Sequence, residues 1–267
     1  MDDFSNKTIV ITGGASGIGL GFAKAMGQEG ANIVICDILA DRINTALNEL
    51  KSLNINAIGK QCDVANIDEV QQLADFAWEN FASVDGIING AGIGSPGGVL
   101  KVEREDIEKV LDINFYGVWN GCKVFGQRFI EQGTPAAIYN IGSENSLYNF
   151  VPKTFAYHVS KHAVLSMTDA LRAEVPDFID VSLICPGWVN TNMTPHHGMT
   201  VEEFIPIALQ QLKAGQFYVV SHAYNIVRIN DRYNEIKQAY ETYAPRYEGD
   251  DEYDLMTFIA KSRKKKQ

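Results

Sequence analysis

The chain has 267 residues, 46% of them hydrophobic and 21% charged, with a formal net charge of −10 at pH 7. That length suits one α/β domain with a large core, and the acidic balance argues against a general nucleic-acid binder, whose phosphate contacts need clustered cations. No apolar run approaches the roughly 20 residues of a membrane helix, and Met1-Asp2-Asp3-Phe4 lacks the basic and apolar regions of a secretion signal, so a cytoplasmic address is expected.

Short apolar runs alternate with helix-period segments, the signature of βαβ units and a parallel sheet. A β-branched run at 8–11 predicts the first strand, followed by glycines and then a helix. A second strand is predicted at 33–36. After it Ile43, Ala46, Leu47 and Leu50 fall at i, i+3, i+4 and i+7, on one helix face. Residues 57–62 form a weaker strand. Asn66 with Glu69 reads as a capping box, opening a helix that buries Val70, Leu73, Ala74 and Ala77.

Strand four at 84–88 runs into Asn89-Gly90-Ala91-Gly92, and a loop with Pro96 leads to one helical segment from about 103 past Arg128. Strands follow at 136–141 and 181–185, the second closed by Pro186-Gly187, with a long helical segment between Pro152 and Pro176. Val201, Phe204, Ile205, Ala208 and Leu212 mark another amphipathic helix, and 217–220 a last strand. The expected fold is a single doubly wound, Rossmann-type α/β domain, its central parallel sheet of about seven strands flanked by helices.

Residues 1–230 are expected to form this domain, and 231–267 an extension. Tyr233, Tyr240, Tyr243, Tyr247 and Tyr253 are many aromatics for a disordered tail, so part of the extension is read as a helix packing on the core or on another subunit. Its end, Lys261, Arg263, Lys264, Lys265 and Lys266, reads as a basic, solvated or disordered tail. Cys36, Cys62, Cys122 and Cys185 form no C-x-x-C pair, which speaks against a zinc knuckle or a dithiol motif.

In an open parallel sheet, ligands bind beyond the carboxyl ends of the strands. After strand one comes Thr12-Gly13-Gly14-Ala15-Ser16-Gly17-Ile18-Gly19, directly before a helix. Glycines let the backbone approach a pyrophosphate, and a helix N-terminus offers free N–H groups and a positive dipole end. Asp37, at the end of strand two, can accept hydrogen bonds from both adenosine ribose hydroxyls and repel a 2′-phosphate. Ile38, Leu39 and Ser16 supply no compensating cation, so NAD is expected as the cofactor in preference to NADP. Tyr157 and Lys161, at i and i+4, share a helix face. The ammonium, with the positive ring of the oxidised cofactor, is expected to lower the phenol pKa from about 10. Tyr157 then exchanges the hydroxyl proton as hydride moves, while Ser143, after strand five, hydrogen-bonds the substrate oxygen.

The glycine loop, Asn89-Gly90-Ala91-Gly92, Ser143, Tyr157-x-x-x-Lys161 and Pro186-Gly187-Trp188-Val189-Asn190-Thr191 occur in the order and approximate spacing of the short-chain dehydrogenase/reductase family. The resemblance covers residues 5–225. It implies an NAD-preferring dehydrogenase or carbonyl reductase acting on a secondary alcohol or ketone. The catalytic set it implies is Asn114, Ser143, Tyr157 and Lys161, with Asn114 organising a water-linked proton relay and Lys161 holding the nicotinamide ribose. It also implies that Asp63 and Val64 read the adenine, that Asn89 belongs to the turn that stabilises the sheet centre and lies along the dinucleotide, and that Pro186, Gly187, Val189 and Thr191 flank the nicotinamide, with Val189 and Thr191 contacting its carboxamide. Gly90 departs from the family, which usually has a second Asn there.

The resemblance places a variable substrate lid at about 192–213, with Met193, His196, His197, Met199, Phe204 and Ile205. Asn145, Leu147, Tyr148, Phe150 and Val151 are expected to wall the pocket, suiting a moderately apolar or ring-containing substrate. The neighbouring His196 and His197 point differently and have no obvious third ligand, so no metal is expected. A homodimer or homotetramer through the helices around Asn114 and Tyr157 is implied by the resemblance. The competing readings are an NAD-sensing regulator without chemistry, and a dehydratase or epimerase on the same scaffold.

Overall fold

The computed structural model describes residues 1–95, 97–149, 153–194 and 196–264 (of 262–264 the backbone only), in two compact units, Met1–Ala223 and Tyr224–Gln267. The first unit carries strands β1 (Thr8–Thr12), β2 (Asn32–Asp37), β3 (Ala57–Gln61), β4 (Gly86–Asn89), β5 (Ala136–Ile141), β6 (Ile179–Cys185) and β7 (Tyr218–Val220). They pair in parallel in the order β3-β2-β1-β4-β5-β6-β7. Parallel neighbours need crossovers, and the helices that supply them are α1 (Gly17–Gln28), α2 (Ala40–Ser52), α3 (Ile67–Asn80), α4 (Arg104–Leu111), α5 (Gly117–Gln132), α6 (Phe155–Glu174) and α7 (Val201–Lys213).

Both faces of the sheet are covered, which is why its strands read as continuous apolar runs. Ile9, Ile11, Ile33 and Ile35 pack with Phe22 and Met26 of α1, Ile43 and Leu50 of α2, and Phe204 and Leu212 of α7. The alternate residues Val10 and Val34 pack with Val70 and Leu73 of α3, Phe125 and Phe129 of α5, and Val164 of α6. The chain winds outward from β1 to β3, then returns to place β4 on the other side of β1. That reversal leaves a crevice at the carboxyl ends of β1 and β4, where the glycine turn and Asn89-Gly90-Ala91-Gly92 lie.

Three local expectations are corrected. The helical segment from 103 past 128 is interrupted between α4 and α5 by a π turn, Asp112–Tyr116. A π turn carries one residue more than an α turn and appears mostly at functional sites. The capping box at α3 takes another form. Asn66 accepts from Asp68 N at 3.0 Å, but Glu69 turns to Asp63 N at 2.8 Å rather than to the Asn66 backbone. Strand four begins two residues later than expected and extends to Asn89. All four cysteines are buried and unpaired.

The second unit contains α8 (Asn225–Tyr243), a 3-10 turn at Asp250–Tyr253 and α9 (Leu255–Lys264). Within it Lys261 pairs with Asp251 at 3.1 Å, while Lys265 and Lys266 of the basic tail lie outside the described residues. Among the described residues no helix is long and apolar enough to cross a membrane.

Candidate active site

The crevice is a cleft of about 490 Å³. Its floor is the turn between β1 and α1, where Gly13 sits at φ +63° and Gly17 at φ +52°. A Cβ on Gly13 would lie 2.9 Å from Ala91 Cα, and one on Gly19 would lie 2.3 Å from Gly13 O. Only a chain without side chains at these points can coil this tightly against the β4 turn. Ser16 is the N-cap of α1 and its side chain caps nothing, and the first turn holds no acidic residue. The helix therefore presents free N–H groups and its positive end to the cleft, as an anionic pyrophosphate requires. Gly13, Ser16, Gly17, Ile18 and Gly19 all line the cleft.

At one end lie Asp37, Asp63 and Val64. The Asp37 carboxylate accepts Leu39 N at 3.1 Å and keeps its remaining acceptor capacity toward the cleft. Asp63 accepts Ala65 N at 3.0 Å, and the Val64 carbonyl is held by Asn120 Nδ2 at 2.8 Å. Arg42, in the first turn of α2, lines the same end. Ile38, Leu39 and Ser16 carry no cation, but Arg42 does, which corrects the expectation that none lies at this end. Arg42, the third residue of α2, brings to the cleft a cation that the residues directly after β2 do not supply.

At the other end Ser143, Tyr157 and Lys161 stand together with Pro186, Gly187, Val189 and Thr191. Ser143 is buried, the N-cap of a 3-10 turn, and accepts Asn145 N at 3.1 Å. Lys161 is 4% exposed and donates to Ile141 O at 2.8 Å. Its Nζ lies 5.7 Å from the centroid of the Tyr157 ring. Thr191 approaches the glycine turn, with its Cγ2 3.4 Å from where a Gly17 Cβ would be. Gly187 packs under the ring of His222, which its Cβ would meet at 2.3 Å.

The Tyr157 phenol of the protein alone is raised, where Lys161 and the positive ring of an oxidised cofactor together are expected to lower it. Burial pushes the phenol above its ordinary value, a hydrogen bond with Ser143 opposes this, and the Glu144 carboxylate adds to the rise. Burial also brings the Lys161 ammonium down to about 8, against an upward pull from Cys185. The physical reason is common to both: the apolar surroundings disfavour the charged form of each group. In the protein alone the pair is therefore poised as phenol and ammonium at neutral pH.

Two predicted residues stand apart from the cleft wall. Asn89 is buried in the sheet and donates to Asn140 Oδ1 at 2.8 Å, supporting β4 against β5 at the sheet centre as expected, but it does not line the cleft. Asn114 sits in the π turn, fully buried. Its Oδ1 accepts Ile93 N at 2.8 Å, and its Nδ2 donates to Ile93 O at 2.9 Å and to Ser160 Oγ at 3.2 Å. The side chain thus spends both donors on protein. Gly90 explains its own departure, because a Cβ there would lie 2.8 Å from Thr12 O.

The substrate end is only partly as expected. From the segment 192–213, Asn192, Met193 and Thr194 line the cleft, but Phe204 and Ile205 are core residues, with Phe204 set edge-on to Phe22 at 6.3 Å. The strand-like bridge between Val189 and Met199 ties the loop back on itself, and His197 stacks on Trp188 at 5.6 Å. Tyr148 is buried, Leu147 packs on the core, and Asn145 holds Ser143. Phe150 and Val151 lie outside the described residues. Ile93, Gly94 and Ile113 line the cleft without having been singled out.

Sheet order, crevice and glycine turn define a Rossmann-type α/β protein. The sequence pattern of the short chain dehydrogenase family matches residues 7–201. The probable oxidoreductase EphD of Mycobacterium tuberculosis is 35% identical over 196 residues, 73% of this chain and 33% of that protein, so the chain spans about a third of its length. The 1-deoxy-11-beta-hydroxypentalenate dehydrogenase of Streptomyces avermitilis is 29% identical over 243 residues, 86% of this chain and 90% of that protein. A short chain dehydrogenase/reductase from Burkholderia phymatum, solved in complex with NAD, is similar with a TM-score of 0.85 at 26% identity, over 90% of this chain and 97% of that one. The chain belongs to the short-chain dehydrogenase/reductase family of oxidoreductases.

Proposed function

We propose that the protein is an NAD(H)-dependent oxidoreductase that interconverts a secondary alcohol and a ketone, on a moderately apolar or ring-containing substrate. The observation that carries this reading is the placing of Ser143, Tyr157 and Lys161 on the wall of the same cleft that holds the glycine turn and Asp37. The residues fit a dinucleotide: the turn at Gly13 and Gly19 leaves no room for side chains where a pyrophosphate would approach, and the helix end above it is positive. The ribose hydroxyls would fall to Asp37, the adenine to Asp63 and Val64, and the nicotinamide end to Pro186, Gly187, Val189, Thr191 and Lys161. When bound, the nicotinamide supplies the carbon that takes or gives hydride.

The chain's own residues manage the proton. Ser143 donates a hydrogen bond to the substrate oxygen, and Tyr157 takes its proton in oxidation or returns it in reduction, help worth roughly 10²–10⁴-fold. Burial that raises the phenol suits the reduction direction, where Tyr157 must hold a proton to give. In oxidation the phenol must give up its own proton first, which the hydrogen bond with Ser143 favours. Asp37 supports NAD, and Arg42 beside it gives a 2′-phosphate a partial partner, so the preference is moderate. A cytoplasmic homodimer or homotetramer completes the reading.

The test is a panel of alcohols and ketones with NAD(H) and NADP(H), followed by nicotinamide absorbance. Turnover of a secondary alcohol or ketone is expected, faster with NAD(H). Binding of NADH with no turnover on any member would replace the reading with that of a cofactor-sensing regulator.

A further inference from the structure

We propose that Ser160 is a positioning residue, the buried hydroxyl that ties the π turn to the turn of α6 carrying Tyr157 and Lys161. Ser160 has no exposed surface. Its Oγ accepts Asn114 Nδ2 at 3.2 Å and donates to the Tyr157 carbonyl at 2.8 Å. That carbonyl is also the i→i+4 acceptor of the Lys161 N–H in an α-helix. The hydroxyl therefore grips the peptide group that sets the spacing between phenol and ammonium.

The other end of the chain of bonds is anchored as firmly. Asn114 clasps both the N–H and the carbonyl of Ile93, at 2.8 and 2.9 Å, and Ile93 lines the cleft just after β4. Three segments distant in sequence are joined in one line: the loop after β4, the π turn and α6. A serine bonding back to the carbonyl three residues earlier is a common local habit in helices and accounts for the Tyr157 bond by itself. It does not account for the Asn114 donation, which directs the serine proton toward Tyr157. In a buried site such serial bonds reinforce one another. The position needs one atom that both accepts and donates, which alanine lacks and cysteine supplies weakly.

The proposal's kinetic arm rests on the dehydrogenase reading, and its stability arm does not. In S160A, kcat for alcohol oxidation is expected to fall about tenfold to a hundredfold, the cost of a small misplacement of a reacting group. KM and NADH affinity change far less than kcat, since the glycine turn, Asp37, Asp63 and Val64 lie away from α6 and are untouched. The rise of kcat with pH moves to higher pH, because a displaced phenol loses part of its hydrogen bond with Ser143, which opposes the burial that raises it. S160C recovers part of the loss, and S160A/N114A is no slower than N114A. A kcat within about twofold of wild type in S160A, with an unmoved pH profile, would reduce Ser160 to a packing residue and overturn the proposal. The same variants compared by denaturant midpoint need no turnover. Non-additive midpoints for Asn114 and Ser160 support the network and additive ones overturn it, whereas a wild type that turns over no alcohol or ketone fails the dehydrogenase reading alone.

Discussion

Replacing Lys161 with methionine should make the protein more stable at neutral pH, and the gain should fade as the pH rises. Lys161 is 4% exposed, and burial brings its ammonium from 10.5 down to about 8. Between these values the unfolded chain holds more protons than the folded one, so the stability of the wild type rises with pH across that window. Below about 8 the full penalty of the buried charge applies, about 3 kcal/mol at 1.36 kcal/mol per unit. By pH 10 most of it is relieved. Methionine removes the charge while keeping an unbranched chain in place, and it also removes the Nζ bond to Ile141 O. That lost bond lowers the stability of the variant by a similar amount at every pH, so it drops out of the comparison. Urea unfolding of both proteins at pH 7 and pH 10 should show the wild type gaining about 2.5 kcal/mol on K161M. A difference that stays flat, or moves the other way, would refute a buried ammonium at this site.

D37S should move the preference from NAD toward NADP by at least about tenfold in kcat/KM, because it removes the repelling carboxylate and leaves Arg42 to pair with a 2′-phosphate. Adding R42A should cancel most of that gain, and an equal preference in the single and double variants would show that Arg42 takes no part. The Tyr139 hydroxyl, on β5, is buried with no hydrogen-bond partner among the described residues. Y139F should therefore raise the unfolding free energy by about 1 kcal/mol, read from denaturant melts, and a loss of that size would show that the hydroxyl is satisfied.

The sheet was legible because strands covered on both faces must be apolar throughout, and the 136–141 run appears as β5 at the same residues. The π turn was not. Its extra residue falls within helical sequence that keeps its apolar spacing, so 103–128 reads as one helix although Asn114 depends on the interruption. The stripe from Val201 to Leu212 shows the same limit in another form. A lid helix and a core helix share one periodicity, and only the packing of Phe204 on Phe22 assigns this one to the core.

Residues on the rims of the cleft followed from what lies after each strand: Gly13, Asp37, Ser143 and Pro186 all stand where the strand order places them. Burial was the missing quantity. Without it a tyrosine one turn from a lysine reads as an acidified phenol, whereas desolvation moves the phenol up and the ammonium down.

The most direct measurement is on Y157F, by NADH fluorescence titration together with steady-state turnover of a secondary alcohol that the wild type oxidises. NADH affinity should stay within about twofold of wild type while turnover falls by about 10²–10⁴-fold. Turnover near the wild-type rate with the phenol oxygen removed would contradict the assignment of the proton to Tyr157.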